Sequence, residues 1–193
     1  MEPLEDDVER IMAAVEPLPP PAPQPALVVL IGLPGAGKST FAARLRERVP
    51  AAVLESDALR KRLFGRPSYS REESRRLFRA ISAAAGRLLR LRVSTILDAT
   101  NLSEYARRPL YRLAERHGAR LILVRLRAPA PVVEERLAAR ARGPAGSTHS
   151  DADVTVYRRM RRWARPVPRE HVDVDTSRDI GPAVAAVAEA MEG

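Results

Sequence analysis

Short apolar runs alternate with longer helical patterns along most of the chain. Five runs have the length and composition of buried strands, and they lie at residues 27–31, 52–54, 95–97, 121–126 and 171–174. Strands that alternate with helices indicate a parallel sheet, because parallel strands need crossover connections that helices normally supply. We therefore expect a three-layer α/β fold, in which helices cover both faces of a five-stranded, mainly parallel sheet.

The first 25 residues follow a different pattern. A short amphipathic helix is predicted by apolar residues at helical spacing, namely Leu4, Val8, Ile11, Met12 and Val15. Its apolar stripe must be covered by the body of the protein or by a partner. Residues 17–25 read PLPPPAPQP, which favours a stiff polyproline II spacer. We expect residues 1–25 to be a helix and linker, and residues 26–193 to be the main domain.

A glycine-rich loop follows the first predicted strand directly. It reads G-L-P-G-A-G-K-S-T and leads into a helical pattern, which is the context that the G-x-x-x-x-G-K-[ST] motif requires. Glycines let the backbone amides turn inward, and the start of the next helix adds a partial positive charge, so the loop can hold phosphates. The expected nucleotide-binding residues of this loop are Gly32, Pro34, Gly35, Ala36, Gly37, Lys38, Ser39 and Thr40.

Two side chains of the loop carry the expected chemistry. Lys38 is a mobile positive charge for the β- and γ-phosphates, and the hydroxyl group of Ser39 is a ligand for Mg²⁺. The chain has no N-K-x-D guanine signature, which favours ATP over GTP. ATP and Mg²⁺ are therefore the expected cofactors. The alternative is a glycine-rich turn with an incidental lysine.

The second strand leads into the segment E-S-D-A-L-R, which places an acid and an arginine one helical turn apart. This segment follows the carboxyl edge of the sheet, where ligands bind in such folds. Asp57 can accept the proton of an attacking hydroxyl group, while Arg60 holds the acceptor or the transferring phosphoryl group. The alternative is that Ser56 or Asp57 only caps the helix.

The third strand ends in D-A-T-N, residues 98–101. An acid at the end of a buried strand near the phosphate loop can orient water bound to Mg²⁺, so Asp98 joins Ser39 as an expected metal residue. Thr100 and Asn101 are expected to contact the acceptor together with Asp98. The alternative is a strand-end cap for the helix that starts near Ser103.

These three motifs together resemble the P-loop kinases grouped around polynucleotide 5′-hydroxyl kinase and the zeta-toxin kinases. The resemblance extends over about residues 26–177. It implies a P-loop NTPase fold with a helical lid. It also implies that Asp57 is the general base, that Arg60 contacts the phosphate at the reaction centre, and that Asp98 lies beside the metal and the acceptor.

The lid is expected at residues 131–162. Arg136 and Arg140 fall on one helical face, match the spacing of lid arginines in polynucleotide kinases, and would stabilise charge on the transferring group. A solvated basic helix face is the alternative. The predicted flexible tip contains Gly143, Pro144 and Gly146.

The segment after the tip reads S-D-A-D and is expected to cap the returning helix with Ser150, Asp151 and Asp153. It differs from the Val-Pro signature of polynucleotide kinases and is more similar to the S-D-A lids of AAA_33-type kinases. The last strand and loop resemble those that flank adenine in these enzymes. That resemblance implies contacts to the base from Thr176, Ser177 and Arg178.

The formal charge of +9 favours anionic partners, but arginine carries almost all of it, which is also what a GC-rich genome produces. Arg71, Arg75 and Arg79 form one predicted helical stripe that can follow a phosphate backbone. Aromatic residues are only 4% of the chain and leave little surface for stacking on bases, so a solvated face is the favoured interpretation of this stripe.

The chain contains no cysteine, which excludes disulfides, thiolate catalysis and cysteine-based zinc sites. No apolar run is long enough to span a bilayer, and the acidic, proline-broken start lacks the features of a secretion signal. We therefore expect a cytoplasmic protein without a membrane partner.

Together these patterns predict an ATP-dependent phosphotransferase whose acceptor hydroxyl belongs to a polynucleotide 5′ end or to a nucleotide-like molecule. One alternative is a kinase for a sugar, a nucleotide sugar or an antibiotic. A second alternative is a non-catalytic, nucleotide-dependent switch whose first helix docks a partner. The sequence does not indicate the oligomeric state.

Overall fold

The computed structural model describes residues 3–142 and 151–193. Its strands are β1 (Ala26–Ile31), β2 (Ala52–Glu55), β3 (Thr95–Asp98), β4 (Arg120–Arg127) and β5 (Val172–Asp175). Its helices are α1 (Pro3–Met12), α2 (Lys38–Arg46), α3 (Ser56–Phe64), α4 (Arg71–Arg90), α5 (Glu104–Arg116), α6 (Ala130–Arg142), α7 (Val154–Arg161) and α8 (Gly181–Glu192).

The strands form one sheet in the order β2-β3-β1-β4-β5, and every described pair is parallel. β1 lies at the centre and all six of its residues are buried. In the register of the sheet, Leu30 of β1 lies beside Asp98 of β3. The predicted α/β fold is confirmed. Its sheet is wholly parallel in the described part of the chain because helices connect the successive strands.

The sheet separates two apolar clusters, and alternate residues of β1 contribute to opposite sides. Leu27, Val29 and Ile31 belong to the cluster that includes residues of α1, α3, α4 and α5, whereas Val28 and Leu30 belong to the cluster with α2 and α8. This alternation follows from the period of two along a strand. The core therefore holds the carboxyl end of β1, where the phosphate loop begins, from both faces.

Helix α1 packs against α3 and α4, so the body of the protein covers its apolar stripe. Ile11 is fully buried, and Asp7 is also buried and accepts two hydrogen bonds from Arg76 at 2.7 and 2.9 Å. The spacer that follows contacts the body through Ala22 and Arg92, whose backbone groups are joined by a hydrogen bond of 2.8 Å. The N-terminal segment is thus attached to the domain at both the helix and the spacer.

Helices α6 and α7 form the described part of the segment predicted to be a lid, for which we keep that name, and they share a small apolar cluster made of Val133, Leu137 and Tyr157. Leu33 of the phosphate loop packs against this cluster. The predicted tip residues Gly143, Pro144 and Gly146, and the predicted cap residue Ser150, lie outside the described residues. Among the described helices, none is long and apolar enough to cross a membrane.

Candidate active site

The phosphate loop connects β1 to α2 and requires its glycines for steric reasons. Gly35 and Gly37 have φ angles of 77° and 83°, in the left-handed region where other residues are strained. A Cβ atom on Gly32 would lie 2.6 Å from the carbonyl oxygen of Leu126, and one on Gly35 would lie 2.8 Å from Cγ1 of Val133. The loop therefore needs glycine to pass close to β4 and to the lid.

Lys38 is the first residue of α2, and part of its side chain is exposed to solvent. Its Nζ donates a hydrogen bond to the carbonyl oxygen of Leu33 at 3.1 Å. Packing around the ammonium group lowers the pKa of Lys38, and the carboxylates of Asp98 and Asp57 oppose this shift. The lysine charge is thus placed between the loop backbone and two acids.

Asp98 ends β3 and is only 4% exposed. Its Oδ2 has no hydrogen-bond partner among the described residues. The pKa of Asp98 is raised, because burial disfavours the charged carboxylate. The charge of Lys38 and a hydrogen bond with the hydroxyl group of Ser39 oppose this shift without cancelling it. A buried carboxylate oxygen without a partner is costly unless a cation or a donor satisfies it.

The side chains of Asp98 and Ser39 together fit Mg²⁺. Oxygen ligands are what Mg²⁺ prefers, and it usually binds through one or two protein oxygens, with water and substrate phosphates completing the shell. The free Oδ2 of Asp98 and the adjacent hydroxyl group of Ser39 supply such a pair. No cluster of three or more His, Cys, Asp or Glu ligands occurs in residues 3–142 and 151–193, so a fuller protein cage is not available there.

Asp57 lies in the first turn of α3 and is partly buried. The N-cap position belongs to Glu55, and Ser56 and Asp57 both lie within the helix, which does not favour a capping role for either. Among the described residues the carboxylate of Asp57 makes no hydrogen bond and no ion pair within 4 Å, and it interacts electrostatically with Lys38. Its carboxylate is therefore available to a ligand.

One cavity of about 560 Å³ brings most of the predicted site residues together. The phosphate loop forms one wall, α3 and the end of β3 form a second, and the lid forms a third. The predicted residues that line it are Pro34, Gly35, Gly37, Lys38, Ser39, Thr40, Asp57, Arg60, Asp98, Thr100 and Arg140. The loop glycines and the carboxylate of Asp57 thus border the same cavity.

Arg60 is held more tightly than the sequence indicates. It is 7% exposed, forms a buried ion pair with Glu73, and stacks over the ring of Tyr69 at 5.0 Å from the centroid. Burial raises the pKa of Glu73, but hydrogen bonds from Ser68 and Arg60 outweigh it and lower this pKa to about 2. Much of the arginine charge is therefore neutralised by Glu73, and its Nε is a buried donor without a partner among the described residues.

Asn101 does not line the cavity. It is 5% exposed, and its amide donates to the carbonyl oxygen of Leu30 at 2.8 Å. Its own carbonyl oxygen accepts a hydrogen bond of 2.8 Å from the fully buried Arg107, which also donates to Pro166. In the structure Asn101 links β1 to α5, so the expectation that it contacts the acceptor does not agree with its position.

The two lid arginines both border a second cavity, and they differ in their contact with the first. Arg136 donates to the hydroxyl and carbonyl oxygens of Thr176, at 2.9 and 2.6 Å, and it borders this second cavity of about 450 Å³ behind the loop. Arg178 lines the same second cavity, whereas the hydroxyl group of Ser177 is bonded to Asp175 at 2.6 Å. Of the two lid arginines, only Arg140 borders both cavities.

Asp151 makes a lid contact that sequence reasoning missed. Asp153 caps α7 by accepting from the backbone of Val156 at 2.8 Å, as expected. Asp151 does not cap the helix. It accepts hydrogen bonds from Nζ of Lys61 at 2.6 Å and from the hydroxyl group of Tyr69 at 2.5 Å, and these bonds lower its pKa. The segment before α7 is thereby joined to α3 and to the loop before α4.

A family model described as an AAA domain, AAA_33, matches residues 27–179. The chain belongs to the AAA_33 family. This agrees with the resemblance to P-loop kinases found in its three motifs. The family match ends before α8 and begins after α1, so these two helices lie outside it.

Solved structures of similar fold include several kinases. A putative kinase from Chloroflexus aurantiacus is 25% identical, with a TM-score of 0.67, over 86% of this chain and 98% of that chain. The APS kinase CysC of Mycobacterium tuberculosis, in complex with AMPPNP and APS, is 22% identical, with a TM-score of 0.66, over 90% of this chain and 100% of that chain.

The Kti12 protein of Chaetomium thermophilum, in complex with ADP-AlF3, is 19% identical, with a TM-score of 0.68, over 87% of this chain and 100% of that chain. No protein of curated function matches the chain. The family and these folds support a P-loop kinase, and they do not identify its acceptor.

Proposed function

We propose that this AAA_33 protein transfers the γ-phosphate of ATP to an acceptor hydroxyl group, with Asp57 as the general base. The observation that carries the proposal is the shared cavity, in which the unpaired carboxylate of Asp57 borders the same space as Lys38 and the phosphate loop. A phosphate-binding loop alone fits switches and motors equally well. A free carboxylate beside that loop is what a transferase adds to it.

The chain's own residues account for the steps of the transfer. The loop amides and Lys38 hold the β- and γ-phosphates, and Arg140 borders the point where charge develops on the transferring group. The acceptor oxygen forms a bond to the γ-phosphorus while the bond from that phosphorus to the leaving ADP oxygen breaks. Asp57 takes the proton of the acceptor hydroxyl group. Ser39 and Asp98 would hold Mg²⁺, which neutralises phosphate charge when bound.

ATP as the donor is supported by the structural neighbours. The APS kinase structure contains the ATP analogue AMPPNP, and the Kti12 structure contains ADP-AlF3. The second cavity behind the loop, which Arg136 and Arg178 border, is the space that we assign to the base of ATP. Its lining by Thr176 agrees with the resemblance of this loop to the adenine-flanking loops of related kinases.

The acceptor side of the cavity favours a nucleotide-like molecule over a plain sugar. Its lining includes two aromatic rings, two other apolar side chains and one arginine, namely Tyr69, Phe78, Val156, Met160 and Arg159. Ring surfaces suit a base, and an exposed arginine suits a phosphate. The lining also includes Ser56, Ser74, Thr100 and Asp151, which can bond to the hydroxyl groups of a ribose. We therefore propose a polynucleotide 5′-hydroxyl or a nucleotide-like acceptor.

The substitution Asp57→Asn tests the proposed base, because it keeps the shape of the side chain and removes its proton affinity. We expect ATP affinity to be unchanged and transfer to fall by about 10²- to 10⁴-fold, measured with labelled ATP and nucleoside or oligonucleotide acceptors. Asp6→Asn, an exposed change on α1, is the matched control and should retain full activity. Full activity of Asp57→Asn would contradict the assignment of the base, and label found only on sugars would contradict the acceptor class.

A further inference from the structure

We propose that an exposed surface beside the cavity binds the single strand of a nucleic-acid acceptor whose 5′-terminal nucleotide occupies the cavity. We call it the Trp163 surface and define it by Trp163, Tyr105, Arg161, Arg162 and Arg165. The inference rests on the proposed kinase function and names the acceptor class as a strand.

Trp163 lies one turn beyond the residues of α7 that line the cavity. Val156, Arg159 and Met160 line it. Trp163 follows Arg159 by four residues and Met160 by three, and its backbone N–H donates to the carbonyl oxygen of Met160 at 2.9 Å, so the helical turn continues. Trp163 therefore extends the cavity-lining face of α7 to the rim. Its side chain is 63% exposed.

Tyr105 lies on the segment that follows Thr100, a residue that lines the cavity. Thr100 lines the cavity, and the chain then passes through Leu102 to the start of α5, where Tyr105 is 88% exposed. The backbone N–H of Arg165 donates to the carbonyl oxygen of Leu102 at 3.3 Å, which joins this segment to the stretch that follows Trp163. Two exposed aromatic residues are thus carried by adjoining segments at one end of the cavity.

The arginines of the Trp163 surface form no ion pair among the described residues, although Arg161 attracts the carboxylate of Glu134 and helps to lower its pKa. Arg161, Arg162 and Arg165 are all exposed and form no ion pair there. The nearby acids are engaged elsewhere, because Glu104 bonds to Arg107 and Glu134 bonds to Arg158. Such a surface is complementary to a polyanion.

A single strand is the ligand that uses both features at once. Exposed aromatic rings stack on unpaired bases, and arginines neutralise the phosphates between them. The stripe of Arg71, Arg75 and Arg79 on α4 is also basic, but none of its members lines the cavity. It therefore provides a matched comparison for an effect of charge alone.

Trp163 is the only tryptophan of the chain, so its fluorescence reports directly on this surface. We would titrate the protein, in the presence of AMPPNP, with a 5′-hydroxyl oligodeoxythymidylate. We expect saturable quenching whose affinity falls with added salt, because phosphate contacts release counterions. Absence of quenching under conditions where the wild type phosphorylates thymidine 3′-monophosphate overturns the proposal.

Substitutions separate stacking from charge. With an end-labelled oligonucleotide and polarisation as the readout, Trp163→Ala is expected to raise Kd about tenfold, while Trp163→Phe retains most of the affinity. Arg162→Gln/Arg165→Gln should weaken binding and reduce the salt slope by about 2. Arg75→Gln/Arg79→Gln should change neither, and an equal loss in both arginine pairs overturns the proposal.

Transfer kinetics keep this inference distinct from the proposed function. The surface variants are expected to raise KM for the oligonucleotide about tenfold and to leave KM for thymidine 3′-monophosphate unchanged. Oligonucleotide binding with the expected variant effects, but without transfer to any acceptor, supports the surface and contradicts the kinase. Transfer to the mononucleotide with no effect of Trp163→Ala on the oligonucleotide contradicts the surface and leaves the kinase intact.

Discussion

The side of the cavity that we propose for ATP and the side that we propose for the acceptor are built differently. On the ATP side, the phosphate loop follows the buried strand β1 and leads to Lys38 at the start of α2, and Asp98 ends the buried strand β3. These positions follow from short motifs. On the acceptor side, Arg60, Tyr69 and Asp151 come from separate helices and loops and are joined by side-chain contacts. The ATP side is therefore held by the sheet itself, whereas the acceptor side is held by polar contacts that can exchange for contacts with a ligand.

The two lysines of the chain test this comparison most strongly, because Lys38 lines the ATP side and Lys61 bonds to Asp151 on the acceptor side. Lys38→Met removes the charge that faces the phosphates, and we expect transfer to fall by about 10²- to 10³-fold. Lys61→Met removes only the partly exposed contact to Asp151, and we expect a loss of less than about fivefold. Steady-state kinetics with labelled ATP measure both. Equal losses of activity in the two variants would contradict the proposed difference between the ATP side and the acceptor side.

The ion pair between Arg60 and Glu73 should be the strongest contact on the acceptor side. Glu73→Gln leaves the buried guanidinium without its counter-charge, and we expect the free energy of unfolding at pH 7 to fall by about 1–3 kcal/mol in urea titrations. Glu72→Gln, an exposed change in the same helical turn, is the control and should have almost no effect.

The same pair predicts a dependence on pH. Because the pKa of Glu73 is lowered to about 2 from an ordinary 4.5, its stabilisation is fully present above about pH 4.5 and is lost as the pH falls toward 2. The difference in unfolding free energy between the wild type and Glu73→Gln should therefore shrink over that interval. A difference that stays constant from pH 5 to pH 2 would contradict the ion-pair interpretation.

The contact between Tyr69 and Asp151 should have the smallest effect. Tyr69→Phe removes the hydroxyl group that bonds to Asp151 but keeps the ring that stacks on Arg60. We expect KM for the acceptor to rise by less than about fivefold, with kcat nearly unchanged, because partly exposed contacts contribute little. Tyr69→Ala removes both contacts and should raise KM further. If both variants behave alike, the ring contact contributes nothing.

The difference between the ATP side and the acceptor side also explains which parts of the site the sequence could predict. The five strands were predicted almost to their observed bounds because each apolar run is bounded by polar or loop residues. The phosphate loop was predictable because its chemistry is contained in nine consecutive residues. On this side, local sequence and final geometry carry the same information.

The acceptor side was predicted less completely because its contacts join distant parts of the chain. Ser70 and Glu73 form an S-x-x-E pattern that indicates a helix cap, and Ser70 does accept from the backbone of Glu73 at 3.1 Å. The side chain of Glu73 instead bonds to Arg60, which no local pattern specifies. Asp151 likewise has the sequence context of a cap, and only the fold brings it to Tyr69.

The packing of helix α1 determines how far the chain can be shortened at its N-terminal end. It precedes the region that the family model matches, yet Ile11 and Met12 contribute to the main apolar cluster and Asp7 is buried against α4. A fragment trimmed to the family boundaries would expose the apolar side chains that α1 covers. We expect such a fragment to be less soluble, because the exposed apolar patches of different molecules would associate. The segment that the family model matches and the segment that builds the apolar core are therefore different lengths of chain.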